Sequence, residues 1–595
     1  MRKKIKDTLH SVGIVFWDIG LAAKASPIYL IHTIIDGALE ALRRLGESVF
    51  LLAYLLDCIE KGRPWHYAIR YIIGLIAFLM LKFTYESIAS SLIKKRGEEK
   101  IQRALSLKLF AKAKSMDISF YDNPSFYNDF VWAMKEAPKQ IVASFWNVYF
   151  LSYVIVSALF TGVFVSLADP FAIIIVLGGV IINITTALAG NKKRLEMEEL
   201  QKPPQRKRDY INRVFYLADF AKDIRMGNMK EHLFSDYEIS NNTIEKIVRA
   251  KSTPLIWLSY IRHNFSDVLN ELYLLYLLYQ SLILNSMGLG TVVAVFNAMD
   301  RLRNSLSSFT WLLPDIQKQS LYVQKMKTFL DAENHLPNHG TLPIPDDFEL
   351  TLHNVSFTYP NTDVQVLKNI NLTIPKGSKI ALVGYNGAGK STLVKLLMRL
   401  YDPTDGHITY GGTDIKEYPL EHYREQISTL FQDYQIIAAT LGENITMSDT
   451  TLDKDRAMQI MKDIDFIDVF QSMPNGFDTQ LTKEFHSDGV NLSGGEAQKV
   501  AICRVLYSNA HVLILDEPSS ALDPLSEYNL NHTIQQLAKD RSIIFISHRL
   551  STTRIADTIY MLENGTIIEQ GSHEELMKQN GKYAQMFLLQ AEKYR

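Results

Sequence analysis

The chain has 595 residues, 47% of them hydrophobic and 21% charged, with a net charge of −1. That length accommodates three or four ordinary domains, and so balanced a charge supplies no global field for gripping nucleic acid. The two cysteines, Cys58 and Cys503, fall in different halves, which excludes a disulfide framework and a cysteine-based metal cluster.

The basic start, MRKKIK, is not followed by a compact apolar run with a small-residue cleavage site. No removable signal peptide is expected, and the N-terminus is assigned to the cytoplasm. Long, largely apolar stretches follow at 25–59 and 67–93, each interrupted by charge. Between Lys139 and Asp169 there is no charged residue, and none again from Pro170 to Asn191. Both runs exceed the roughly 20 residues that cross a bilayer, and Asp169-Pro170 reads as the turn between them. Leu272 to Met299 is also uncharged, with a turn at 285–290 (NSMGLG). Basic clusters at Lys94–Arg103 and Lys192–Arg208 belong on the cytoplasmic side. Six crossings satisfy these signals, at about 22–59, 66–100, 139–168, 170–200, 254–285 and 290–327, within a helical membrane domain spanning 1–330. Pro203-Pro204 is expected to kink or interrupt the extension after the fourth crossing.

Charge inside these helices is patterned. Asp36, Glu40, Arg43 and Glu47 recur at helical spacing and share one stripe, with Arg44 one position off. His263, Asp267 and Asn270/Glu271 repeat the spacing in the fifth crossing, and Asn297, Asp300, Arg301 and Asn304 in the sixth. An ionisable group facing lipid costs about 3 kcal/mol. The stripes are therefore expected either to pair and hold helices together or to line a hydrated cavity. The residues assigned to that cavity are Asp36, Glu40, Arg43, Glu47, His263, Asp267, Glu271, Asn297, Asp300 and Asn304.

From 331 to 347 the chain turns polar and proline-rich, as linkers do, and from 348 to 595 strands and helices alternate. Residues 384–391, GYNGAGKS, form a phosphate-binding loop between a buried strand (379–383) and a helix (392–400). Its glycines let backbone N–H groups turn toward phosphates, Lys390 adds a positive charge, and the Ser391 hydroxyl can ligand Mg²⁺. Only one such loop is present. Val512–Leu515 is a buried strand ending in Asp516-Glu517, a pair suited to holding Mg²⁺ and polarising water. Upstream, LSGGEAQK at 492–499 opens a helix expected to run through Leu506, whose N-terminus at Ser493, Gly494 and Gly495 can hold a γ-phosphate.

In order and spacing, these motifs resemble the ABC exporters over nearly the whole length. The resemblance implies an α-helical transmembrane domain of six long helices followed by an α/β P-loop ATPase domain of ABC type. It implies that Tyr359 (in SFTYP) stacks on adenine and that Gly384, Tyr385, Asn386, Gly387, Ala388, Gly389, Lys390, Ser391 and Thr392 cradle the phosphates. Gln432 (in LFQDY) matches the Mg²⁺-sensing glutamine, so Ser391, Gln432 and Asp516 form the expected metal set. Glu517 matches the catalytic base and His548 the histidine at the γ-phosphate and attacking water; Ser520–Asp523 matches the segment joining two ATP sites. In this family Ser493–Gly495 act in trans on nucleotide held by a partner, so a dimer is implied, most simply a homodimer, with a heterodimer as the alternative. Residues 120–130 (FYDNPSFYNDF) and 221–233 (AKDIRMGNMKEHL) resemble the two coupling regions. Three positions depart from the pattern: LSGGE replaces LSGGQ, KEFHSDG at 483–489 stands where TEVGERG is common, and Lys499 replaces the commoner Arg.

The expectation is an ATP- and Mg²⁺-dependent exporter in a bacterial plasma membrane, multi-pass, with its N-terminus and ATPase domain cytoplasmic. Its partners are the bilayer, a second copy and an amphipathic solute, without nucleic acid. The leading cargo is a modified or antimicrobial peptide; the alternative is a drug or lipid, for which a more one-signed, basic lining is expected. A non-transporting ABC ATPase is the different-class reading, opposed by the uncharged 139–191 stretch and the single phosphate loop. The same architecture also serves import, and these motifs carry no direction.

Overall fold

The computed structural model describes residues 2–334, 336–346, 348–360, 362–448, 450–518, 524–537, 541–546 and 553–592. The chain forms two compact units, Met1–Ser115 with Ser125–Ala332, and Met116–Pro124 with Glu333–Arg595. The second unit thus includes a short segment, Met116–Pro124, from within the N-terminal half.

The first unit is helical throughout its regular elements. Among the described residues, three helices are long and apolar enough to cross a membrane: His66–Ser115, Ala137–Ala168 and Phe171–Tyr216. Pro27–Leu45, Met229–Leu282 and Leu289–Ser307 carry internal charge, which is why apolarity alone does not mark them. Ser26 separates helix Arg2–Ala25 from Pro27–Leu45, whose first residue is the proline that tolerates a missing N–H there. A π-helical stretch, Gly46–Leu51, then leads into Leu52–Glu60. Such a stretch packs more residues per turn and rotates everything beyond it, so a stripe counted at 3.6 residues per turn drifts from Gly46 onward.

Helix Phe171–Tyr216 runs unbroken through Pro203 and Pro204, which corrects the expected interruption. Each proline forfeits an N–H donor, yet the helix is pinned just beyond them to Met229–Leu282. Ile211, Val214 and Leu233 form a buried cluster, Phe215 stacks on Phe234, and Lys207 pairs with Asp236 at 2.7 Å. Tertiary packing overrides the local cost. Elsewhere the membrane-type packing depends on small residues: a Cβ at Gly37 would stand 2.3 Å from the Tyr149 carbonyl oxygen, so helices Pro27–Leu45 and Ala137–Ala168 cross closely there. A core of Val176, Tyr273, Leu277, Val295, Ala298 and Met299 joins the later helices.

The second unit holds two sheets. The smaller is antiparallel, ordered β2 (Gln365–Ile374), β1 (Leu350–Thr358), β4 (Asp405–Tyr410), β5 (Thr413–Asp414). The larger runs β10 (Thr566–Gly571), β9 (Thr558–Glu563), β3 (Lys379–Gly384), β8 (Ser542–Ile546), β7 (Val512–Asp516), β6 (Ile427–Leu430). Its strands are parallel except β10. Covered on both faces, the central strands are continuous apolar runs, and β8 is buried at every position. Ligand sites in such sheets lie beyond the carboxyl ends of the strands. The phosphate loop leaves β3 there, and Asp516-Glu517 leaves β7.

Candidate nucleotide site and membrane cavity

The loop after β3 is built around close backbone approach. A Cβ at Gly384 would meet the Leu562 carbonyl oxygen at 2.3 Å, and one at Gly389 would meet Leu367 at 2.7 Å. Gly389 also has φ +103°, where an L side chain is strained, and it caps helix Lys390–Leu397. The free N–H groups of that helix start point to the loop's concave side. Lys390 is buried, and its Nζ donates to the carbonyls of Gly384 (2.7 Å) and Tyr385 (3.1 Å). Burial lowers its pKa, against the opposing pull of Asp516 and Glu517.

A cavity of about 480 Å³ is lined by Asn386 through Thr392, by Gln432, Asp516 and Glu517, and by Val366 and Ile546. The structure therefore brings most of the expected phosphate and metal residues to one place. Val366 and Ile546 are additions; as apolar residues on β2 and β8 they carry no motif. Tyr385 is exposed and, with Gly384, forms the loop's stem outside that lining. Tyr359 also lies outside it: its hydroxyl is 3.0 Å from Thr392 Oγ1, its ring meets Tyr401 edge-on, and Lys395 Nζ sits 5.4 Å from its centroid.

The two carboxylates differ. Asp516 is pushed up to about 6, first by burial and then by Glu517, with Lys390 opposing. Ser391, Gln432 and Asp516 present hydroxyl, amide and carboxylate oxygens to the same space, and a carboxylate this ill at ease beside another is satisfied by a cation. The donor set thus fits Mg²⁺. Glu517 occupies the left-handed region at φ +48°. Its N–H donates to the Ile546 carbonyl at 2.9 Å, its carboxylate accepts from Gln432 Nε2 at 3.3 Å, and its carbonyl accepts from Gln498 Nε2 at 3.3 Å.

Ser493 is the N-cap of helix Gly494–Tyr507, in a reciprocal capping box with Glu496. Glu496 Oε2 accepts from the Ser493 N–H at 2.7 Å, and Ser493 Oγ accepts from the Glu496 N–H at 3.4 Å. Glu496 therefore keeps the cap that a glutamine at this position also supplies. Ser493, Gly494 and Gly495 do not line the cavity around Lys390. His548 and Ser520–Asp523 lie outside the described residues.

Within the second unit, Asp122 Oδ2 accepts from Tyr401 (2.5 Å) and Lys395 (3.1 Å), which anchors the first coupling segment to the ATPase core. In the altered segment 483–489, Phe485 is 75% exposed, an uncovered aromatic where solvent alone would favour a polar residue. The second coupling region contains the short helix Ala221–Met226, and Met226 is fully outward.

In the membrane unit, Glu40 is buried and binds Arg43 (2.7 Å), Arg44 (2.7 Å) and Lys82 (3.0 Å), while Arg43 also meets Glu47 at 2.5 Å and Lys82 meets Glu86 at 2.7 Å. This stripe is a closed ion network binding helix Pro27–Leu45 to His66–Ala89. One Asp36 carboxylate oxygen nearby is buried without a partner. Asp267 pairs with Arg303 at 3.5 Å; Glu271 is exposed, and the His263 side chain is outside the described residues.

A separate cavity, of about 450 Å³, is lined by Arg44, Ser48, Phe150, Tyr153, Asn297, Asp300, Arg301, Asn304, Ser305 and Ser308. Of the ten expected cavity residues, Asn297, Asp300 and Asn304 line it. Asp36, Glu40, Arg43, Glu47, Asp267 and Glu271 do not; Glu40, Arg43, Glu47 and Asp267 are held in ion pairs instead. Arg301 donates to Tyr153 (2.9 Å) and Ser48 (2.8 Å), Arg44 stacks over Tyr153 at 5.5 Å, and Asp300 is neutralised by Arg303 at 2.7 Å. Among the described residues no carboxylate pairs with Arg301, and its buried Nε has no partner.

Residues 367–520 match the ABC transporter family. Among curated proteins, the ATP-dependent lipid A-core flippases of Salmonella typhimurium (strain LT2) and Escherichia coli (strain K12) are each 29% identical over 501 residues, 82% of this chain and 83% of theirs. A bacterial Atm1-family ABC exporter solved with ATP bound has the same fold, with a TM-score of 0.74 at 23% identity, covering 95% of this chain and 98% of that one.

Proposed function

Because the chain belongs to the ABC transporters as a half-exporter, one helical membrane unit followed by one ATPase unit, we propose that it works as a dimer and moves an anionic lipid-like amphiphile. ATP hydrolysis drives the transport. The nucleotide sits on the loop from Gly384 to Thr392 with its base against Tyr359. Ser391, Gln432 and Asp516 would hold Mg²⁺, which would neutralise phosphate charge. Glu517 takes the proton of the attacking water, and the partner's signature turn closes over the γ-phosphate. Support for closure in trans is that Ser493–Gly495 lie outside their own chain's nucleotide cavity, so the site lacks these groups until a second copy docks. We assign the protein to a bacterial plasma membrane, with ATPase unit and N-terminus cytoplasmic.

The observation that carries the cargo reading is Arg301. A cation within the membrane unit is costly without an anion, and among the described residues Arg301 is held by two hydroxyls and faces a cavity it shares with Arg44. A phosphate or carboxylate headgroup supplies the missing charge. With Asp300 already neutralised, the lining has the basic bias expected of a lipid carrier, and the flippase names of the relatives favour the same class over a peptide.

The test is ATPase activity in zwitterionic proteoliposomes doped with an acidic phospholipid, a neutral lipid or a cationic peptide. Stimulation by the acidic lipid that Arg301→Gln abolishes, at unchanged basal activity, is expected. Stimulation by the peptide instead, or by acidic lipid equally in wild type and variant, overturns the lipid reading.

A further inference from the structure

Helix Gly494–Tyr507 begins at the signature turn, which on the dimer reading above serves the partner's nucleotide, yet its buried face touches the backbone of its own chain's Glu517, the residue assigned as hydrolytic base. The contact is Gln498, 1% exposed and surrounded by the apolar cluster that includes Val500, Ala501, Leu513 and Leu515. A buried primary amide in such a setting persists only where it is hydrogen-bonded. Its Nε2 donates to the carbonyl oxygen of Glu517 at 3.3 Å. Glu517 is a non-glycine residue at φ +48°, a conformation that needs support from its surroundings. Its backbone is held from two sides: the N–H by the Ile546 carbonyl, the carbonyl by Gln498.

We propose that Gln498 is a positioning residue that links the two nucleotide sites of the dimer through a single rigid helix. Ser493 at the helix start is fixed to the helix by the capping box, and Gln498 lies just over one turn further on. The helix is buried along Gln498, Val500 to Cys503, Val505 and Leu506, so it moves as one body. When nucleotide on the partner draws Ser493 toward it, Gln498 shifts with the helix and resets the backbone of Glu517, and hence the aim of its carboxylate. Gln432, which also reaches Glu517, acts on the other end of the same residue. One carboxylate thereby senses its own Mg²⁺-side glutamine and the neighbour's ATP.

This rests on the trans-closure reading, and the test separates the two. Full-length wild type and Gln498→Met are reconstituted in liposomes, and ATPase is measured against ATP concentration. Methionine keeps the volume and removes the donor, so the fold is preserved; the Tm of each is recorded as a check. The expected result is a kcat lowered about tenfold with KM for ATP unchanged, and a Hill coefficient falling from near two toward one. The proposal is overturned by wild-type kcat and Hill coefficient in Gln498→Met, or by kcat, KM and Tm all deteriorating together, which marks a packing role only. A wild type with a Hill coefficient of one removes the two-site reading itself, and this inference with it.

Discussion

Tyr401 donates its hydroxyl hydrogen to Asp122 Oδ2 across 2.5 Å, and the same oxygen accepts from Lys395, whose Nζ lies 5.4 Å from the Tyr359 ring centroid. Asp122 belongs to the first coupling segment, and Tyr359 is the residue assigned to adenine. Two contacts therefore separate Tyr359 from Asp122. Tyr401 is buried, and burial together with Asp122 raises its pKa, so it remains a donor at any physiological pH.

Removing that anchor should uncouple the protein rather than inactivate it. Asp122→Ala is expected to lose roughly 1.5–3 kcal/mol of local docking, the worth of a hydrogen bond to a charged group. Basal ATPase should stay within about twofold, since no group of the phosphate cavity is touched, while lipid stimulation disappears. Stimulation equal to wild type in Asp122→Ala would show that the segment transmits nothing through this oxygen.

Glu517→Gln should bind ATP but turn it over roughly 10²- to 10⁴-fold more slowly, the usual contribution of a general base. The amide still accepts from Gln432, so the cavity keeps its shape. The variant should accumulate as a closed, ATP-bound dimer, visible as ATP-dependent crosslinking between engineered cysteines at the two signature turns. Normal turnover would remove Glu517 from its assigned role.

The response to pH follows from Asp516. Its carboxyl titrates at about 6 rather than 3.8, so the folded chain retains a proton that the unfolded chain releases. Without Mg²⁺ this group adds stability that is complete below about 3.8 and is lost as pH rises through about 6. Mg²⁺ and the proton compete for the same oxygen. At limiting Mg²⁺, ATPase should fall as pH drops below about 6, and excess Mg²⁺ should restore it. An Mg²⁺ requirement that does not vary between pH 5 and 7 would contradict this.

Glu496→Gln should preserve the cap, because an amide oxygen accepts from the Ser493 N–H as a carboxylate does, while removing a negative charge near the partner's triphosphate. The KM for ATP should fall a few-fold, in line with about 0.5–1 kcal/mol for a charge at a helix end. Glu496→Ala should instead lose the capping box, at about 1 kcal/mol, and raise KM. Identical KM values across the three proteins would show that this position is remote from nucleotide.

Much of the ATPase site was legible in the linear chain because its chemistry depends on short, contiguous segments. A glycine-rich turn, a strand ending in two acids and a capped helix each carry their geometry locally, so GYNGAGKS, VLILDE and LSGGE announce their elements wherever they fold. The unbroken passage through Pro203-Pro204, and the turning of Glu40 and Arg43 into an ion network, could not be read this way. Helix packing decides which partner each of these side chains meets. Arg301 makes the same point: sequence marks it as one polar residue among several on a helix, and only the fold shows that no carboxylate among the described residues pairs with it. Likewise Gln498 and Glu517 are 19 residues apart and share no motif; the packing of one helix beneath one strand end brings an amide to a carbonyl. Local backbone geometry is encoded by neighbours in the chain, whereas the balance of buried charge is a property of neighbours in space.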